Sequence, residues 1–295
     1  MKKIALFLVL CTFSFGFAQS TVTTFTYAIK GSDTLKLDVY SPQEIKKNDS
    51  LPVLLWMHGG GFRGGSRSYP SEVQLAEFAV KNGYIAISMS YRLTRKDQLS
   101  GFGCDCHKDD KLLTFKLAAI DYLDAAKFIY DNSELLGADT TKIIAGGSSA
   151  GAEGMLNAVY MREYFIDDLK KYEDVKFAGV FSLAGAMVNA DYISKDNALP
   201  SVFFHGTADN LVPFASAAHH LCKPQRKGYL ILDGSSTIVD KLVALEMPYY
   251  FYKVIGGKHE LSAIPFDQLD EVFEFFNQTI FKGEILQTVR IIRKS

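Results

Sequence analysis

The chain has 295 residues, 48% of them hydrophobic and 22% charged. This composition excludes a disordered or fibrous chain, and the length suits one large domain or two small ones. A formal net charge of −1, with no basic stripe interleaved with aromatics, gives no support to a nucleic-acid partner.

Lys2 and Lys3 precede an apolar run over residues 4–17, and Gly16-Phe17-Ala18 sets small residues at −3 and −1 of a cut before Gln19. Residues 1–18 therefore read as a secretory signal peptide, and a secreted or periplasmic location is expected. The alternative is an uncleaved anchor, for which the apolar run is short. Loss of the two lysines takes the formal charge from −1 to −3. No other stretch is apolar and long enough to span a bilayer, so no stable membrane anchor is expected.

Residues 22–28 and 35–40 read as two strands joined by a turn at Gly31-Ser32-Asp33, and the alternation over 35–40 fits an antiparallel strand with one exposed face. Residues 53–57 form a continuous apolar run, as a parallel strand buried on both faces should. The run ends in His58-Gly59-Gly60-Gly61-Phe62. A helix over 72–82 closed by Gly83, a strand over 85–90, a long helix over 114–130 and a strand over 142–145 follow. Further strands are expected over 177–183, 201–205 and 249–255. Phe266, Leu269, Phe273, Phe276 and Ile280 mark a final helix. This alternation predicts an α/β fold: a mostly parallel sheet of about eight strands, helices on both faces and antiparallel N-terminal strands. There is no internal repeat and no convincing linker, so one domain is expected over 19–295. Its tail, 283–295, is either a short extra strand or a basic end on the surface.

The stretch that carries chemistry is Gly147-Ser148-Ser149-Ala150-Gly151, where the strand over 142–145 meets helical spacing at Ala152, Met155, Leu156 and Val159. It fits G-x-S-x-G, the strand–turn–helix elbow that holds a serine Oγ clear of a sheet. Read about Ser148, the flanking positions are Gly146 and Ala150. Read about Ser149, they are Gly147 and Gly151, so Ser149 is the expected nucleophile.

Four motifs now stand in order: His58-Gly59-Gly60-Gly61-Phe62, the elbow, His205-Gly206-Thr207-Ala208-Asp209 and Gly256-Gly257-Lys258-His259. Together they resemble the α/β-hydrolase superfamily, in its HGGGF-type carboxylesterase, hormone-sensitive-lipase-like and feruloyl-esterase-like branches. The resemblance covers nearly all of the chain after residue 18. It implies the order Ser, acid, His. His58 and His107 come too early to be the base. His205 sits in a buried strand run, and His219 and His220 fall on a helical stretch after the acid. His259, in a Gly-Gly loop after the last strong strand, is the expected base. Asp209 is the expected acid, with Asp233 as runner-up, while Asp240 is expected to face solvent on a helix. The resemblance also implies an oxyanion hole from the N–H groups of Gly60, Gly61 and Ala150, with His58 bracing the glycine loop and Arg92 structural.

The loop Gly101-Phe102-Gly103-Cys104-Asp105-Cys106-His107 is expected on the active-site side, with Phe102 as a substrate-lining residue. Its Cys and His residues admit a soft-metal reading, but too few ligands lie close in sequence, so no metal is expected. Cys104, Cys106 and Cys222 admit a disulfide from Cys222 to either partner, a strained Cys104–Cys106 pair, or three thiols. Glu153, one turn past Ser149, reads as a carboxylate paired with a buried donor.

The chain is thus expected to be a secreted serine ester hydrolase that needs no cofactor. Its substrates would be small-molecule esters or acyl groups on polysaccharides. A peptidase or amidase of the same fold would need to recognise a peptide amine, often through acidic residues on an added domain, and no added domain is visible in the sequence. A non-catalytic binding protein would be expected to lack a member of the serine–histidine–acid set. A fluorophosphonate probe and a comparison of aryl esters with peptide anilides separate the three.

Overall fold

A computed structural model describes residues 20–43 and 49–294. The leader expected over residues 1–18 lies outside the described residues. Two strands, β1 (Ser20–Lys30) and β2 (Asp33–Pro42), form an antiparallel hairpin. Then come β3 (Leu51–Met57), α1 (Pro70–Lys81), β4 (Ile85–Met89), α2 (Lys108–Asp131), the short α3 (Ser133–Leu136), β5 (Ala138–Ser148), α4 (Ala150–Tyr160) and the short α5 (Arg162–Phe165). The second half carries β6 (Gly179–Leu183), β7 (Ala186–Met187), β8 (Ser201–Gly206), β9 (Ser216–Ala218), β10 (Ile231–Gly234), α6 (Ser235–Ala244), β11 (Tyr249–Ile255), α7 (Leu269–Phe276) and β12 (Gln287–Arg293).

Nine of these strands form one sheet, ordered β1-β2-β4-β3-β5-β6-β8-β11-β12. The pairs from β4 through β12 are parallel, while β1–β2 and β2–β4 are antiparallel. About eight strands are expected and nine are found: of the two alternatives for the tail, the extra strand is the one formed, as β12 pairs parallel along all of β11. As an edge strand β12 buries neither face, so its side chains show no alternation to read. Arg290 is instead held from outside by Glu271 of α7.

Consecutive residues of the central strands point into two separate cores. Val53, Leu55 and Met57 of β3 face one layer with Phe115, Tyr122 and Met155 from α2 and α4. Leu54 and Trp56 face the other, with Leu75 and Ala79 of α1 and Phe273 and Phe276 of α7. This is why the strand sequences are apolar without a break: each face has its own helical cover.

The parallel strands all end on one edge of the sheet. The chain leaving β3 carries His58 to Gly61. The chain leaving β5 carries Ser149, that leaving β8 carries Asp209, and that leaving β11 carries His259. β8 and β11 are neighbours, with Gly206 level with Val254. The loops bearing Asp209 and His259 therefore start side by side.

Candidate active site

Ser149 takes φ 50° and ψ −123° between β5 and α4, a conformation that costs a non-glycine residue on the order of 1–3 kcal/mol. Its N–H donates to the Leu183 carbonyl at 2.8 Å, and its carbonyl accepts from Glu153 N at 2.9 Å. The turn is tight enough to demand glycine on both sides. A Cβ on Gly147 would meet Gly151 at 2.7 Å, and one on Gly151 would meet the Met57 carbonyl oxygen at 2.1 Å.

The adjacent serine is engaged elsewhere: Ser148 Oγ donates to the Ser262 carbonyl at 2.6 Å. Ser149 Oγ lies 2.8 Å from His259 Nε2, and His259 Nδ1 lies 2.8 Å from Asp209 Oδ2. The Asp209 carboxylate can only accept, so Nδ1 donates and Nε2 is left to accept the Ser149 proton. The other Asp209 oxygen accepts from Leu211 N at 2.9 Å and Val212 N at 3.1 Å. Burial pushes the Asp209 carboxyl up, but donors from His205 and His259, the His259 charge and the Leu211 N–H outweigh it, and hold the group far below the usual carboxylate range.

His205 is a partner that a reading of the buried strand alone does not reveal. Its Nε2 lies 3.3 Å from the Val212 carbonyl and 3.4 Å from Asp209 Oδ2, while Nδ1 sits 2.8 Å from Ser235 Oγ. The carbonyl only accepts, which assigns the proton to Nε2 and turns it toward Asp209 as well. The signal in the sequence is the four-residue step from His205 to Asp209, which brings them together across the turn after β8. The runner-up acid, Asp233, is in β10, where its Oδ2 accepts from Ala190 N at 2.8 Å; Asp240 is exposed on α6.

Gly60 and Gly61 adopt φ 122° and 63°, and a Cβ on Gly60 would meet the Gly64 carbonyl oxygen at 2.2 Å. With Ala150, the first residue of α4, they line the pocket beside Ser149. The first N–H groups of a helix have no acceptor within it, which leaves them for a ligand. His58 Nδ1 lies 2.7 Å from the Gly59 carbonyl, and the buried Tyr91 hydroxyl donates to the His58 carbonyl at 2.9 Å. Both fix the glycine loop. Arg92 forms a forked ion pair with buried Asp121.

The pocket holds about 340 Å³, and Phe102, Glu153, Leu211, His219 and His220 complete its wall. Phe102 is buried against Phe62, Phe115 and His219, with ring centres 4.9, 5.5 and 5.2 Å away. Cys104 is joined to Cys222 by a disulfide, and Cys106 is a buried free thiol. With Cys104 so engaged, the Cys-Asp-Cys-His run loses a ligand. Among the described residues no three His, Cys, Asp or Glu side chains converge as a metal site. Glu153 is buried against His219. It faces His219 Nε2 at 3.2 Å without hydrogen-bond geometry. Burial pushes its carboxyl up to about 8, against the pull of His220, His259 and Lys111. Burial pushes His219 well down and His220 down to about 4. A larger cavity of about 710 Å³ lies between Arg162, Glu173 and Asn197, and neither Ser149, His259 nor Asp209 lines it.

The fold is that of known esterases. It is similar to the apo form of Thermogutta terrifontis esterase 2, with TM-score 0.63 and 17% identity over 90% of this chain and 96% of that one. The butyrate-bound structure of the Thermogutta terrifontis esterase gives the same TM-score, at 17% identity over 90% and 96%. In sequence the chain is 28% identical to a secreted triacylglycerol lipase of Gibberella zeae over 56% of its own length and 27% of the lipase. It is 32% identical to gut esterase 1 of Caenorhabditis elegans over 48% of its length and 23% of that esterase. The chain thus spans about a quarter of the length of these curated relatives. A model of the carboxylesterase family matches residues 14–164, just over half of the 295, and includes the glycine loop and the elbow. The chain belongs to the carboxylesterase family.

Proposed function

We propose that this chain is a secreted serine carboxylic-ester hydrolase in which Ser149 is the nucleophile, His259 the base and Asp209 the acid that orients it. The observation that carries this reading is the unbroken chain of contacts from Ser149 Oγ through His259 to Asp209, at 2.8 and 2.8 Å. Ser149 Oγ attacks the ester carbonyl as His259 Nε2 takes its proton. The N–H groups of Gly60, Gly61 and Ala150 hold the oxyanion. His259 returns the proton to the departing alcohol. Water, deprotonated by the same nitrogen, then releases the acid and restores Ser149. Each step balances without a metal or organic cofactor. Asp209 stays ionised throughout, because its hydrogen bonds keep its proton affinity low.

Secretion is supported by Lys2, Lys3 and the apolar run that follows, and by a disulfide suited to an oxidising compartment. The substrates we assign are small-molecule esters and acyl groups carried on polysaccharides. Labelling with a fluorophosphonate probe tests the nucleophile, and a panel of acetyl, butyryl, longer-chain and feruloyl esters tests the substrate. A probe adduct at Ser149 with turnover of aryl esters supports the reading. Absence of both removes it, and faster cleavage of peptide anilides than of aryl esters makes the chain an amidase.

A further inference from the structure

The pocket wall holds more polar groups than Ser149, His259 and Asp209 need. Glu153 follows Ser149 by four residues, so the two lie one helical turn apart on one face of the chain. It lines the pocket together with His219 and His220. Glu153 Oε1 and His219 Nε2 stand 3.2 Å apart, with side chains 2% and 1% exposed. Neither atom has a hydrogen-bond partner in the protein, and neither has His219 Nδ1. Buried polar atoms are normally satisfied, so the facing pair Glu153 Oε1 and His219 Nε2, on residues that line the pocket, points to a ligand group that satisfies both.

The loop that carries the histidines is built under constraint. His220 and Leu221 have φ 58° and 51° although neither is glycine. The Cys104–Cys222 disulfide pins the loop, with bonds from His219 N to the Leu230 carbonyl and from His220 N to the Leu211 carbonyl. Phe102 packs its ring against His219. Left-handed conformations held by surrounding structure are found where a side chain must be aimed.

The donor set selects the ligand chemistry. Burial favours the neutral acid for Glu153 and the neutral ring for both histidines. Lys111, buried nearby, is engaged by the Gly228 carbonyl at 2.8 Å. An ammonium ligand would need a carboxylate, and a carboxylate ligand would need an imidazolium. A hydroxyl donates and accepts at once, so one hydroxyl satisfies an acid oxygen and a ring nitrogen 3.2 Å apart.

We propose that Glu153 and His219 form a hydroxyl-binding subsite, and that the preferred substrates are esters carrying a hydroxyl group a few bonds from the scissile carbonyl. The proposal rests on Ser149 as the nucleophile. The hydroxyl belongs to the acyl part or to the alcohol part, and two matched pairs separate these sources: methyl 3-hydroxybutyrate against methyl butyrate, and 2-hydroxyethyl butyrate against ethyl butyrate. In one pair the wild type should favour the hydroxylated ester by about tenfold or more in kcat/KM, because a site built to bond a hydroxyl discriminates against a substrate lacking it. Glu153→Met and His219→Leu should each bring that ratio to about one, while Glu153→Gln, which still donates and accepts, should keep it within about threefold. A wild-type ratio near one in both pairs overturns the proposal, even if a variant fails to fold. So does a ratio retained in Glu153→Met. Absence of ester turnover together with absence of fluorophosphonate labelling at Ser149 instead overturns the nucleophile assignment beneath it.

Discussion

The Ser148 hydroxyl donates to the Ser262 carbonyl at 2.6 Å, across 114 residues of sequence. Ser262 closes the short helical turn that begins at His259. The bond therefore clips the elbow to the loop that carries the proposed base. Two neighbouring serines have separate tasks: Ser148 holds His259 in place through the backbone, and Ser149 meets its ring.

Ser149→Ala should lower ester turnover by on the order of 10³-fold or more. Ser148→Ala should leave clear activity, reduced by about tenfold or less, because it removes one neutral hydrogen bond worth about 1 kcal/mol. Steady-state kinetics on an aryl ester reads both. Equal losses would leave the nucleophile unassigned, and full activity in Ser149→Ala would move it.

Asp209→Asn should cost on the order of 10³- to 10⁴-fold in kcat, because the amide presents its N–H to His259 and favours the wrong tautomer. His205 should show a smaller effect of the same kind. His205→Phe removes one of the side-chain donors to Asp209, and should cost about ten- to a hundredfold in kcat with KM little changed. It also leaves Ser235 without its ring partner, so a stability loss of about 1–3 kcal/mol is expected. A silent His205→Phe would reduce His205 to a packing residue.

The sequence made the frame of the site legible because its demands are steric. Gly147 and Gly151 are forced by contacts under 3 Å, and their positions in the chain alone separate Ser149 from Ser148. The central strands were equally legible, since burial on both faces leaves an apolar run. What stayed hidden was of two kinds. The three-stranded sheet of β7, β10 and β9 has strands of two to four residues, too short to show a period. The start of α2 has no apolar stripe to mark it, because its first turn is charged. His107 caps it by accepting from Asp109 N, and Lys111 is buried only because the Gly228 carbonyl, 117 residues away, receives it. The Glu153–His219 pairing is likewise a product of tertiary structure, with no local pattern to announce it.

The disulfide should matter to stability as well as to the pocket wall. Cys104 and Cys222 are 118 residues apart, and closing a loop of that length is worth about 5 kcal/mol in the chain-entropy model. For a chain of this size that corresponds to a fall of about 10–15 °C in melting temperature for Cys104→Ala/Cys222→Ala. Cys106→Ala should change it much less, since it removes only one sulfur from the core. Non-reducing peptide mapping should recover residues 104 and 222 in one cross-linked species, and a fully alkylated Cys222 peptide without prior reduction would remove the bridge.

Glu153 should leave a signature in the pH dependence of stability. Its carboxyl is pushed up to about 8, first by burial, whereas an unfolded glutamate titrates near 4.3. Between those values the folded chain keeps a proton that the unfolded chain has released. The stabilisation is fully present below about pH 4 and is lost as pH rises toward 8. His220, pushed down to about 4 by burial and then by His219, acts in the opposite window. Unfolded, it takes a proton below about pH 6.5; folded, it resists until about 4, so its contribution is lost as pH falls through that interval. Well above pH 6.5 His219 and His220 are neutral in both states, and Glu153 dominates. Wild type should therefore lose stability relative to Glu153→Gln from pH 6.5 to 8, by on the order of 1 kcal/mol per pH unit. Urea unfolding of both proteins at pH 6.5, 7.2 and 8.0 measures the difference directly. Parallel curves would mean that Glu153 ionises normally in the folded chain, and that Lys111 rather than the neutral acid form offsets its burial.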